Sequence, residues 1–250
     1  MKYVKCLLGL LLGLGVFACN FTEEIHFNED GSGNIDIHFD GDELMAMWGA
    51  PSNQPDHADR ACRCALAMRA ALPDLNETWQ DIIGEPTDVS IGVNSGDALV
   101  GNIGTPQKFK FGALGNTVNL ASRVQSATKY VRCRTLITGR TRNIIKAEGY
   151  HLRRLGKVRV NNIEEPVELH ELGQEDPDDE NNLATLRADY ETAQKHFENA
   201  DFRAASAVLG NVLLTFPDDG PSLLLMSRVV EQMLREDSAN FDAVWTLAGK

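Results

Sequence analysis

The sequence predicts an α+β domain followed by an all-α helical repeat segment. Three observations carry that expectation. Between about residues 41 and 172, short apolar runs bounded by Gly, Pro and Asn alternate with stretches whose apolar residues recur every three or four positions. Residues 173–182, GQEDPDDENN, are acidic, polar and interrupted by Pro177, which reads as a linker. From Leu183 onward the helical period dominates. A chain of 250 residues has room for one large domain or two ordinary ones. Its 43% hydrophobic and 24% charged residues, with 9 Pro, exclude a disordered or fibrous chain.

The first 19 residues read as a leader. Two lysines precede an apolar run from Leu7 to Ala18, too short to span a bilayer, which takes about 20 apolar residues. The layout is that of a secretory signal, and Val16-Phe17-Ala18-Cys19 resembles the lipobox of bacterial lipoproteins, which implies lipidation of Cys19. The alternative is a buried strand or helix. Residues 20–40 read as two alternating strands, Glu24 to Phe27 and Asn34 to Phe39, around an Asp30-Gly31-Ser32-Gly33 turn. Asp30, Asp36, Asp40 and Asp42 lack the spacing and closing Glu of a calcium loop.

From residue 41 each element has its own local signal. Leu44 to Trp48 is a short apolar strand stopped by Gly49-Ala50-Pro51. A helix begins at Asp56, with Ala58, Ala61, Ala65, Met68 and Leu72 on one stripe. Val89 to Val93 and Ala98 to Val100 are expected to form a hairpin across Asn94-Ser95-Gly96-Asp97. A second helix covers Asn116 to Lys129, with Val118, Ala121 and Val124 inward, and Thr135 to Thr138 is a strand. Tyr150 to Val160 and Pro166 to Leu172 make a closing pair whose turn holds Asn161 and Asn162. Beyond the linker, helices are expected at Leu183 to Ala200, Phe202 to Thr215 and Ser222 to Arg235.

The five cysteines, at 6, 19, 62, 64 and 133, show no paired spacing, which argues against a disulfide scaffold or zinc ribbon. On a helix Cys62 and Cys64 point about 200° apart, so small buried side chains are the better reading. The net charge of −12 argues against nucleic-acid binding. Yet Lys108 to Arg159 holds 13 bases and one acid, Glu148, a local +12 that leaves −24 elsewhere. Such a segment is either a solvated face or one that meets an anion.

Four ordered motifs carry a resemblance: GDELMAMWGAP (41–51), IGVNSGDALVGNIG (91–104), LGNTVNLASRV (114–124) and the closing RRLGKVRV…EPVELHEL. Together, over residues 41–172, they resemble a class III adenylate/guanylate cyclase catalytic domain. The resemblance implies a ferredoxin-like sandwich, here incomplete. It also implies conversion of ATP or GTP to a cyclic nucleotide and pyrophosphate with Mg²⁺ or Mn²⁺, in a homodimer. Asp42 matches a metal-binding aspartate; Gly41 and Gly112 fall at nucleotide-binding positions. Asn119 and Arg123 match the catalytic pair that orients the ribose and stabilises the transition state, and their i, i+4 spacing puts both on one helix face.

The sequence departs from the family pattern at three places. It has no segment like F-x-D-I-x-G-F-T for the first metal-binding aspartate, which marks the domain as N-terminally truncated unless Asp36 or Asp40 substitutes. Gly112 offers no side chain to a base, and Asn161-Asn162-Ile163 stands where a Lys-Gly-Lys is common. These departures predict weak or no turnover and a lipoprotein-like start joined near Asp40 to a cyclase domain. The alternatives are an inactive dimerisation and nucleotide-binding module, or a membrane-anchored lipoprotein. The cyclase resemblance implies a cytoplasmic location; use of the leader would anchor the chain to a membrane. In residues 183–250, Tyr190, Ala193, Phe197, Phe202, Ala205, Leu209 and Pro217 resemble a tetratricopeptide repeat. One copy is too few to stand alone, so it is expected to pack on the preceding domain or a second copy, or to offer a peptide groove.

Overall fold

The computed structural model describes residues 24–25, 35–40, 43–105, 108–146, 148–160, 163, 165–174, 180–235 and 241–247. In chain order the elements begin with strands β1 (Glu24–Ile25), β2 (Ile35–Asp40) and β3 (Glu43–Met47) and helix α1 (His57–Ile83). Strands β4 (Ile91–Val93), β5 (Leu99–Thr105) and β6 (Lys108–Leu114) lead into helix α2 (Asn116–Val131). Strand β7 (Thr135–Thr138), helix α3 (Gly139–Ile144) and strands β8 (Tyr150–Arg159) and β9 (Val167–Gln174) follow. Helices α4 (Glu180–Glu198), α5 (Phe202–Thr215) and α6 (Gly220–Leu234) and strand β10 (Trp245–Thr246) complete the order. Among the described residues no helix is long and apolar enough to cross a membrane.

The chain divides into two units. The first comprises residues up to Val89 and Ser95–Asn119. Here β1, β2 and β3 form an antiparallel sheet in that order, with the β2–β3 register running from Asp36 opposite Met47 to Asp40 opposite Glu43. The predicted stripe of α1 is its buried face: Ala58, Ala61, Ala65 and Leu72 lie inward, joined by Ala71 and Leu75. The chain returning from α1 is tied back by Asn76, whose Nδ2 donates to the Thr87 carbonyl while its Oδ1 accepts from the Thr87 amide. Arg69 adds an ion pair to Asp88 and a hydrogen bond to the Val89 carbonyl. Strands β5 and β6 pair antiparallel from Leu99 with Leu114 to Thr105 with Lys108.

The second unit comprises Ser90–Asn94 and Leu120–Lys250. Its five-stranded sheet runs β10-β8-β9-β7-β4, antiparallel at its centre and parallel at both edges. Between Arg154 and Gly156 the register of β8 shifts. Gly156 there has φ +101°, and a Cβ on it would lie 2.6 Å from Gln194 Nε2, so the irregularity needs glycine. Helices α4, α5 and α6 pack against the sheet through Tyr190, Phe197, Leu209, Leu225 and Val229, in one core with Val124, Leu136, Leu155 and Leu169.

Three expectations are corrected. Residues 89–100 do not form a hairpin: β4 pairs in parallel with the distant β7, and β5 pairs with β6, a strand the sequence reading omitted. The region after residue 183 is not helical throughout, because Trp245 and Thr246 extend the sheet beside Val158 and Arg159. The stretch expected as a linker is shorter, since β9 runs to Gln174 and α4 starts at Glu180. The leader with Cys19, and the Asp30–Gly33 turn, lie outside the described residues.

Candidate active site

Helix α2 presents the predicted catalytic pair. Gly115, at φ +136°, turns the chain out of β6, and its carbonyl accepts from the amides of Val118 (3.1 Å) and Asn119 (3.2 Å). Thr117 Oγ1 donates to the Asp97 carbonyl at 2.6 Å, fastening the first turn. Asn119 is exposed in that turn, and Arg123 follows one turn later, half-buried. Among the described residues no carboxylate forms a salt bridge with Arg123. Gly112 is buried within β6, directly opposite Gly101. Gly41 and Asp42 lie outside the described residues, flanked by the paired ends of β2 and β3. Asn119 and Arg123 are therefore placed together on one helix.

The same helix lies hard against strand β4. A Cβ at Gly92 would be 2.7 Å from the Ala121 carbonyl oxygen and closer still to the Gln125 amide nitrogen. Glycine thus lets backbone meet backbone at this crossing. At the carboxyl ends of the parallel strands, Thr138 Oγ1 donates to Asn94 Oδ1 at 2.8 Å and accepts from the Thr141 amide, capping α3. The sequence placed Asn94 in a hairpin turn and Thr138 at a strand end without joining them; a polar residue at the end of each apolar run was the available signal.

Three arginines of the basic segment, Arg153, Arg154 and Arg159, pair with carboxylates inside the second unit. Arg153, only 1% exposed, meets Glu171 Oε2 through Nε at 2.8 Å and grips Asp219 with two parallel bonds of 2.9 Å. Its guanidinium also lies 4.9 Å from the centre of the Tyr190 ring. Arg154 pairs with Glu168 and Glu198, and Arg159 with Asp242. Burial pushes the Asp219 carboxyl up, but the Arg153 bonds and charge and the Ser222 amide outweigh it, leaving the group below its usual range. Of the two alternatives for residues 108–159, a solvated face or one that meets an anion, neither describes Arg153, which is buried against carboxylates of its own chain.

Of the described cysteines, Cys62 and Cys133 are buried and Cys64 is half-buried. Burial raises the Cys62 thiol to about 12 and the Cys64 thiol to about 11, while Cys133 is raised by burial and by the adjacent Glu171 carboxylate. All three are free. Among the described residues no group of three His, Cys, Asp or Glu could hold a metal ion. The described side chains alone do not make a metal centre.

The family model for the adenylate and guanylate cyclase catalytic domain matches residues 27–173, more than half of the chain, and the chain belongs to that family. Adenylate cyclase 1 of Rhizobium meliloti is 38% identical over 104 residues, covering 41% of this chain and 16% of that protein. An adenylate cyclase of Anabaena cylindrica is 29% identical over 150 residues, 58% of this chain and 29% of that protein. The chain thus spans less than a third of the length of these relatives. Among solved structures, the adenylyl cyclase CyaB from P. aeruginosa is similar with a TM-score of 0.53 at 25% identity, over 71% of this chain and 83% of that one. The guanylyl cyclase Cya2 is similar with a TM-score of 0.50 at 31% identity, over 58% and 72%. Proteins of this family generally use divalent metals and commonly dimerise.

Proposed function

We propose that this chain binds ATP or GTP and forms the corresponding cyclic nucleotide and pyrophosphate, slowly, as a homodimer with Mg²⁺ or Mn²⁺. The observation that carries the reading is the family match across all four motifs, in a chain whose α2 holds Asn119 and Arg123 one turn apart. In this reading Asn119 orients the ribose. The ribose 3′-hydroxyl releases its proton to solvent as its oxygen forms the new bond to the α-phosphorus and the bond from that phosphorus to the departing pyrophosphate oxygen breaks. Arg123, with no carboxylate held against it among the described residues, is left to neutralise charge on the phosphoryl oxygens. Gly41 and Gly112 let backbone approach the nucleotide, and Asp42 is the assigned metal ligand. The thin carboxylate set is the reason to expect slow turnover.

The remaining parts of the proposal are coarser. The cyclase reading favours a cytoplasmic location, and the residues of tetratricopeptide-like spacing in α4 and α5 make the C-terminal helices a packing module with room for a peptide or protein partner. The test is production of cyclic nucleotide from ATP or GTP with Mn²⁺, together with equilibrium binding of an α,β-methylene ATP analogue. Arg123→Ala should weaken analogue binding about 10- to 100-fold, the effect of losing a hydrogen bond to a charged group. Turnover should vanish in Arg123→Ala and in Asp42→Ala, and reappear when the two inactive variants are mixed. Failure of the chain to bind any nucleoside triphosphate would defeat the proposal.

A further inference from the structure

We infer that the C-terminal segment positions the active-site helix, with Gly220 and Asp219 acting as positioning residues for Arg123. The inference rests on the reading of Arg123 given above. Helix α2 ends at Val131, and Arg132 closes it with a positive φ of 56° while the Cys133 amide donates to the Thr128 carbonyl. That end abuts the first residue of α6. A Cβ at Gly220 would lie 2.7 Å from the Arg132 Cβ and closer still to the Arg132 carbonyl oxygen, so only glycine permits the approach.

The N-terminus of α6 is itself pinned. Asp219 caps it by accepting from the Ser222 amide at 3.0 Å, and the same carboxylate is held by the two bonds from Arg153 of β8. Arg153 is further bonded to Glu171 of β9. The sheet therefore fixes α6, and α6 fixes the end of α2. Along its length, α2 buries Val124, Ala127 and Val131 in the core that Tyr190, Phe197 and Val229 complete. Arg123 directly precedes Val124, which is fully buried. A shift or rotation of α2 in this bed necessarily moves the guanidinium.

The test uses the full chain and two readouts, amide hydrogen exchange and affinity for the α,β-methylene ATP analogue. In Gly220→Val, amides of residues 124–131 should exchange about tenfold faster, with β7 and β8 unchanged, because overpacking is relieved where the helix end can move. Analogue affinity should fall roughly tenfold, as expected when a binding group is displaced. Adding Arg132→Gly removes the opposing Cβ but leaves the nearer carbonyl oxygen, so it should restore both in part. Unchanged exchange in α2, or exchange quickened equally throughout the second unit, overturns the inference. Loosening of α2 at unchanged affinity also overturns it when Arg123→Ala weakens the same analogue. If Arg123→Ala has no effect, the reading of Arg123 falls, and the positioning role with it. Should Gly220→Val not fold, Asp219→Asn keeps the cap and weakens the hold on Arg153; α2 exchange must still rise in that variant, and its constancy overturns the inference.

Discussion

Arg153 and its carboxylates show what a buried charge requires: Glu171 and Asp219 are both within direct bonding distance, and the Tyr190 ring faces the remaining side. The neighbouring histidines solve the problem the other way, by staying neutral. Burial lowers His151 below 6.5, opposed by Glu171 and Asp219 and aided by Arg153 and Arg187. His170 is lowered likewise by burial, against the pull of Glu168 and Glu191 and with Arg142 and Arg154 adding to it. A histidine with a depressed folded value takes up fewer protons than the unfolded chain between that value and 6.5, so stability rises with pH across that interval. The second unit should therefore hold its full stability above pH 6.5 and lose it progressively below. Urea midpoints measured on either side of that pH should differ in the wild type and differ less in His151→Gln/His170→Gln. An equal difference in the double variant would show that other groups set the acid sensitivity.

The crossing of β4 and α2 is the element-level contact on which the placement of the candidate site depends. Gly92→Ala should force the two backbones apart and destabilise the second unit by about 1–3 kcal/mol, the usual range for overpacking, as read from denaturant unfolding. A neutral effect would mean that the crossing is looser than its geometry. This contact also shows where sequence reading stops. Strand β7, the helix α5 and the antiparallel pairing of β8 with β9 were legible, because local periodicity and turn residues fix them. The partner of β4 was not legible, since three residues pair in parallel with a strand some forty positions away and no local turn announces it. Strand β6, KFKFGAL, alternates lysine and phenylalanine and was absorbed into the basic segment. Asn119 and Arg123 were singled out by the family resemblance, and the helical spacing that accompanied it sets them one turn apart on α2. Arg153 and Asp219, which stand 66 residues apart, could be joined only by the fold.

At the scale of the whole chain, the excess of acids outside residues 108–159 is partly explained by where those acids go. Glu198, Asp219 and Asp242 of the C-terminal segment reach Arg154, Arg153 and Arg159 of β8. Nearly half of the buried members of the core cluster come from the same segment, among them Tyr190, Phe197, Leu209 and Leu225. Each large side chain so buried contributes about 1.5–3 kcal/mol, and a domain's net stability is only about 5–15 kcal/mol. Ending the chain at Gln174 should therefore unfold the second unit rather than release a self-sufficient catalytic domain. It would strip the cover from Val124, Leu155 and Leu169, and it would leave Arg153 with one carboxylate in place of two. The measurement is hydrogen exchange of β7, β8 and β9 in the shortened chain: loss of protection is expected there, even in low salt where the remaining ion pairs are strongest. Retained protection would mean that the sheet and α2 stand without the C-terminal helices, and the dependence of Arg123 on α6 would lose its basis.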